Sequence, residues 1–238
     1  ASEQSIVVAR DMEGAVTAAL NAQGAHILSH QEQEKLSRFI LRSNGTMNPA
    51  IVGKSVETLA KLAGLDHVPP SARVLVARET GVGRGYPYSS EKLGLILAYY
   101  VEQDEEAALR RCVELLEWEG AGHTFCIHAQ DEQVVRRFAQ EVPASRVLVN
   151  TAAALGGIGA TTCLFPALTL GCGAVGGSSS SNNIGPLDLI NIKRAAWGVR
   201  ELEELRQGGA GAPYEAAGDA AMPGLEELIG QILRRLSV

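Results

Sequence analysis

Leu95-Ile96-Leu97-Ala98-Tyr99 is a short apolar run, and after it the hydrophobic period changes. Residues 104–117, opened by Asp104, carry helical spacing, and Thr124-Phe125-Cys126-Ile127-His128 returns to strand character. Residues 132–140 are helical again, and Arg146-Val147-Leu148-Val149-Asn150 closes the series. Short apolar runs alternating with amphipathic helices imply βαβ units, hence an α/β fold with a parallel, doubly wound sheet. In open sheets of this kind ligands bind beyond the carboxyl ends of the strands. The loops singled out on that rule are residues 86–92, 120–123 and 151–162.

Toward the N-terminus the alternation holds. Residues 5–9 form a β-branched strand, and residues 11–22 a helix with Asp11 as N-cap and Gly24 as stop. A second helix is expected over 31–41, with Leu36, Phe39 and Ile40 inward, and a third over 56–62, ending at Gly64. Residues 73–77 are another strand. Beyond Asn150 the pattern stops, and residues 155–183 are rich in Gly and Ser. Residues 187–193 alternate in part, which suits an edge or oligomerisation strand, and residues 194–206 are helix-prone. The expected organisation is one domain over 1–196, a helix-prone stretch and Gly/Ala/Pro linker over 197–224, and an amphipathic tail helix over 225–238.

Composition narrows the function. The 238 residues are 46% hydrophobic, enough for a sizeable core, and the net charge is −6. With a pI near 5.5 and no block of Lys and Arg, nucleic acid is not an expected partner. No apolar run reaches about 18 residues, so no membrane span is expected, and the opening residues do not read as a signal peptide. The four cysteines contain no CxxC pair, so neither a metal site nor a disulfide framework is expected, and a reducing cytoplasm suits the chain.

Four stretches, in order, carry a resemblance. They are Ala1-Ser2-Glu3-Gln4-Ser5, Glu91-Lys92-Leu93, Gly122-His123-Thr124, and residues 168–193. The last includes Thr169-Leu170-Gly171-Cys172-Gly173, Gly176-Gly177, Gly185-Pro186 and Leu189-Ile190-Asn191-Ile192-Lys193. Together they resemble the catalytic portion of CoA-acylating aldehyde dehydrogenases, as found in bifunctional alcohol/aldehyde dehydrogenases, over residues 1–196. Gly94-Leu95 stands where that family has Ser-Pro, and Ser178 where it has Asn. Ala1-Ser2-Glu3-Gln4 looks like the segment directly after the family's nucleophilic cysteine, so that cysteine is expected just before Ala1.

The resemblance implies the aldehyde dehydrogenase catalytic domain and a two-stage reaction on a small aldehyde. A cysteine thiolate attacks, hydride passes to NAD or NADP, and CoA as co-substrate releases the acyl group. It implies that Glu91 binds the nicotinamide ribose and that His123 acts as general acid/base or as a CoA-side hydrogen-bond donor. Gly156, Gly157 and Gly159 would line the acyl or CoA channel, since glycine admits close backbone approach. Against these stand plainer readings: a solvated glutamate, a structural histidine and an ordinary connector. None of Cys112, Cys126, Cys163 and Cys172 has the context of a nucleophile, so the isolated chain is expected to be inactive.

Leu225, Leu228, Ile229, Ile232, Leu233 and Leu236 make one apolar stripe, with Glu226 and Glu227 early and Arg234 and Arg235 late. The stripe resembles the encapsulation peptides that tether enzymes to bacterial microcompartment shells; the plain alternative is a helix folded back on its own domain. The implied partners are CoA, a small aldehyde, a second copy of the chain, and a shell protein. The implied place is the cytoplasm or a microcompartment within it. A different class of function is a non-catalytic oligomerisation or targeting module of the same fold. A third is a reductase acting on acyl phosphates, separated from the first by CoA dependence.

Overall fold

The strand Ile96–Glu102 shows in its own side chains why the sheet is covered on both sides. Ile96, Ala98 and Tyr100 lie in one core cluster and Tyr99 in another, as the two-residue period of a strand requires. The computed structural model describes residues 2–199 and 201–203. Six strands are found among them: β1 (Ser5–Ala9), β2 (Ala25–Ile27), β3 (Val74–Arg78), β4 (Ile96–Glu102), β5 (Gly122–Ile127) and β6 (Ala144–Val149). The helices are α1 (Glu13–Ala22), α2 (His30–Ile40), α3 (Val56–Ala63), α4 (Glu105–Trp118), α5 (Glu132–Glu141) and α6 (Ala153–Gly157).

Every strand pair is parallel. A four-stranded sheet has the order β1-β4-β3-β2, with Ser5 opposite Ala98 and Val76 opposite Leu97. A two-stranded sheet pairs β5 with β6, Thr124 opposite Arg146. One face of the larger sheet packs Leu75, Ala77, Ile96 and Ala98 against Leu36 and Ile40 of α2 and Leu59 of α3. The other face packs Val8, Val76 and Tyr99 with Val16 and Leu20 of α1. Leu36, Leu59, Leu75 and Ile96 are fully buried, and each such side chain contributes roughly 1.5–3 kcal/mol. Leu109 and Cys112 of α4 pack with Ile127 of β5 and Phe138 of α5. The parallel α/β architecture is thus the one the periodicity implies.

Local chemistry sets the helix ends. Ser29 and Glu32 make a reciprocal capping box on α2, Ser55 caps α3, Asp104 caps α4 and Asp131 caps α5. Gly64 ends α3 in the left-handed conformation at φ 66°. Two expectations need correcting. Asp11 does not cap α1: it lies inside a 3-10 turn over Arg10–Met12, and Met12 precedes the helix without a side-chain bond. And β2 was not expected, because three residues between Gly24 and a helix cap are too few to show a period.

The chain divides into two units, residues 1–190 and 191–238. At the end of the first, Pro186–Leu189 is a 3-10 turn closed by the Gly185 N–H on the Asp188 carboxylate at 2.7 Å. The strand expected over 187–193 is not formed within the single chain, because no described segment pairs with it. In the second unit, residues 194–199 of the helix-prone stretch are not helical. The linker and the tail helix over 225–238 lie outside the described residues. No described helix is long and apolar enough to cross a membrane.

Candidate active site

Two residues ahead of β1 reach in opposite directions. The Glu3 carboxylate accepts from the backbone N–H of Ala153, the first residue of α6, at 2.8 Å. Gln4 Oε1 accepts from the backbone N–H of Lys92 at 2.9 Å, while the Gln4 carbonyl accepts from Ala98 at 3.1 Å. The opening segment is thereby fastened to α6 on one side and to the 86–92 loop on the other.

That loop leaves Glu91 exposed between Ser90 and Lys92, which are 6% and 1% exposed. The Lys92 ammonium donates to the carbonyls of Tyr88 at 2.6 Å and Ser90 at 2.8 Å. The Glu91 N–H donates to the Glu119 carboxylate, and Trp118 Nε1 donates to Ser90 Oγ at 3.3 Å. Trp118 and Glu119 end α4 and lead directly into Gly122-His123. The Glu91 and His123 loops are therefore tied through the end of one helix, although no direct bond joins the two side chains.

His123, the second residue of β5, is partly buried, with Nδ1 2.8 Å from Thr124 Oγ1. Burial and the positive charge of Arg146 hold its pKa below the usual histidine value, favouring neutral imidazole at pH 7. Arg146 is 4% exposed and meets only neutral acceptors: Asn183 Oδ1 at 2.7 Å, the carbonyls of Ser181 and Asn182 at 3.0 Å, and the carbonyl of His123 at 3.3 Å. Asn183 in turn donates to the carbonyls of Gly157 at 2.9 Å and Phe165 at 2.7 Å. Gly122 has φ 81°, and a Cβ there would overlap the Cys172 carbonyl and the Gly176 backbone. Only glycine fits that combination of left-handed backbone and close approach.

The first three stretches of the resemblance and residues 172–183 of the fourth are therefore tied together. Gln4, Glu91 and His123 stand ahead of or at the amino ends of β1, β4 and β5, and the 120–123 loop runs into the start of β5, whereas the 151–162 loop follows β6. At the carboxyl ends of β3 and β4 stand ion pairs, Arg78 with Glu13 and Arg111 with Glu102, each at 2.7 Å. Gly156, Gly157 and Gly159 lie in and just after α6, and at Gly156 and Gly159 the free space is taken by the chain itself. A Cβ on Gly156 would come 3.1 Å from Leu148, and one on Gly159 would overlap the Leu164 carbonyl. Sequence reading missed Lys92, Arg146 and Asn183, which lie within the motifs or beside them but give no sign of burial.

Two of the four thiols are held far from the thiolate form. Burial pushes Cys112 up to about 12, and burial with the Glu3 carboxylate pushes Cys126 up to about 11, so neither forms thiolate near neutrality. Cys163 is exposed and Cys172 partly buried.

No family model matches the chain. The bifunctional aldehyde-alcohol dehydrogenase AdhE of Escherichia coli is 40% identical over 201 residues, 82% of this chain and 22% of that protein. A solved probable aldehyde dehydrogenase from Listeria monocytogenes superposes with a TM-score of 0.82 at 60% identity, covering 86% of this chain and 45% of that one. An acetylating aldehyde dehydrogenase from Geobacillus thermoglucosidasius gives a TM-score of 0.81 at 44% identity, covering 85% and 44%. The chain spans less than half the length of each of these relatives. Over that part it is similar to acylating aldehyde dehydrogenases in sequence and in fold, as the motifs imply.

Proposed function

We propose that this chain is the C-terminal catalytic part of a CoA-acylating aldehyde dehydrogenase, which oxidises a small aldehyde to its acyl-CoA with NAD or NADP. The observation that carries this reading is the convergence of motifs far apart in sequence: Glu3 on Ala153, Gln4 on Lys92, and Gly122 against Cys172 and Gly176. In this reading the nucleophilic cysteine directly precedes Ala1, outside these 238 residues. Its thiolate bonds to the aldehyde carbon, hydride leaves that carbon, and the CoA thiol then displaces the cysteine sulfur to give acyl-CoA.

The nicotinamide cofactor supplies the hydride acceptor. Glu91 fits a ribose because its carboxylate is exposed while both sequence neighbours are buried. A fixed carboxylate of this kind accepts from two hydroxyls at once. His123, favoured neutral, takes or gives a proton on the CoA side, and its ring is oriented by Thr124. Gly156, Gly157 and Gly159 keep the wall of the acyl channel thin by letting residues 151–183 close tightly on β6.

Residues 187–193 belong to a contact with a second copy of the chain, a reading supported by Leu187 and Leu189 being 69% and 85% exposed. The tail over 225–238 is read as a shell-binding helix from its apolar stripe alone, which would place the protein in the cytoplasm or in a microcompartment.

The test is turnover by the protein carrying the upstream half. Aldehyde-dependent reduction of NAD or NADP should require CoA and leave a thioacyl adduct when CoA is withheld. Release of free acid at the same rate without CoA would overturn the reading.

A further inference from the structure

The most deeply buried charge among the described residues stands next to Glu91. Lys92 is 1% exposed, yet its ammonium meets no carboxylate directly. Its hydrogen bonds go to the carbonyls of Tyr88 and Ser90, four and two residues back in the same loop. Burying an ammonium is costly, and a methionine would fill similar space without that cost. The loop it holds is otherwise irregular: a single 3-10 turn over Pro87–Ser89, then Leu93 at φ 45°, a left-handed conformation unusual for a branched residue. The Tyr88 hydroxyl pins one side of the loop to the Gln33 carbonyl at 2.6 Å, and Gln4 pins the other through the Lys92 N–H. Between these anchors the one residue left facing outward is Glu91.

We propose that Lys92 is a positioning residue for Glu91: its ammonium fastens the loop from which Glu91 projects and thereby sets the affinity for the nicotinamide cofactor. This rests on the reading of Glu91 as the ribose-binding carboxylate. The charged groups facing the ammonium are Glu119 after α4, Glu91 in the loop itself, and Glu79 just past β3. Burial outweighs these three carboxylates and lowers the Lys92 pKa to about 8. The sign follows directly. Below that value the ammonium is present and the loop is held; above it the neutral amine can still donate to both carbonyls but without the charge that strengthens the two bonds, and the loop loosens. A purely structural lysine would instead affect stability and all substrates alike.

The experiment measures KM for the nicotinamide cofactor and for CoA, from pH 7 to about 9.5, in the full-length protein and in Glu91→Gln, Lys92→Met and the double variant. Glu91→Gln should raise the cofactor KM about tenfold. Lys92→Met should raise it by up to the same factor, leave KM for CoA unchanged, and add nothing in the double variant, because it acts through Glu91. The unaltered protein should show its cofactor KM rising as pH passes about 8, and both single variants should lose that rise. The pH profile stands even if Lys92→Met does not fold. An unchanged cofactor KM in Glu91→Gln would overturn the reading of Glu91 and this inference with it. A raised KM in Glu91→Gln, with additive effects or a flat profile in the unaltered protein, would overturn the role of Lys92 alone.

Discussion

The Glu3 carboxylate accepts a hydrogen bond from the Ala153 N–H at 2.8 Å, across 150 residues of sequence. Glu3 does for α6 what a capping side chain does for a longer helix, since Ala152 at the N-cap position offers no side-chain acceptor. The segment that resembles the stretch after the nucleophile is thus held by the loop that closes the far side of the site.

Glu3→Ala should therefore cost about 1 kcal/mol, the scale of a lost helix cap, and Glu3→Gln less, because an amide oxygen still accepts. Thermal unfolding of the three proteins tests this. Equal melting temperatures would mean that the bond adds nothing to stability.

Arg146 makes a stronger prediction. Its guanidinium satisfies four oxygens, three of them on the 181–183 strap and one on His123. Arg146→Met leaves the buried Asn183 Oδ1 without this donor and strips a bond from three backbone carbonyls, of which that of Asn182 keeps the Gly171 N–H; the loss should cost about 3 kcal/mol. The loss should be local: hydrogen exchange should speed up over residues 169–185 before it does in β3 and β4. Uniform acceleration would show that the strap and the sheet unfold together.

Arg146 also marks how far the sequence was legible. The run Arg146-Val147-Leu148-Val149 reads as a strand, and it is one; the alternation of strands with Asp- or Ser-capped helices specifies the α/β class because each signal spans several residues. Burial of one charged residue has no such periodic mark, so Arg146 and Lys92 read as ordinary surface cations. That Gln4, Glu91 and His123 stand toward the amino ends of their strands was hidden for a related reason: where a strand begins is fixed by pairing between distant segments, such as Ser5 opposite Ala98. The strand expected over 187–193 finds no partner strand among the described residues.

The thiols should react in the order of their exposure. Iodoacetamide should label Cys163 first and leave Cys112 unlabelled until the protein unfolds, because the Cys112 thiol is buried and raised to about 12. The isolated chain, given an aldehyde, NAD and CoA, should form no thioacyl adduct. Mass spectrometry checks both, and an acyl group on Cys112 or Cys126 would place a nucleophile inside the chain.

His123 carries a prediction in pH. Its pKa in the folded protein is lowered, chiefly by burial and further by nearby positive charge, to which Arg146 contributes the smaller share, whereas an unfolded histidine titrates near about 6.5. As pH falls through that value the unfolded state takes up the proton first, so stability should decline with falling pH through this window, the sign linkage requires. If neutral His123 is the working form, the acid limb of kcat/KM in the full-length protein should lie below about 6.5. His123→Ala should lower turnover by about a hundredfold, the lower bound for a lost general acid or base, and abolish that limb. The melting temperature should change little, because the ring is only partly buried and bonds only to the adjacent Thr124. Titration of the His123 ring by proton NMR gives the pKa independently of activity. An acid limb that survives His123→Ala, with turnover unchanged, would return the residue to a structural role at the start of β5.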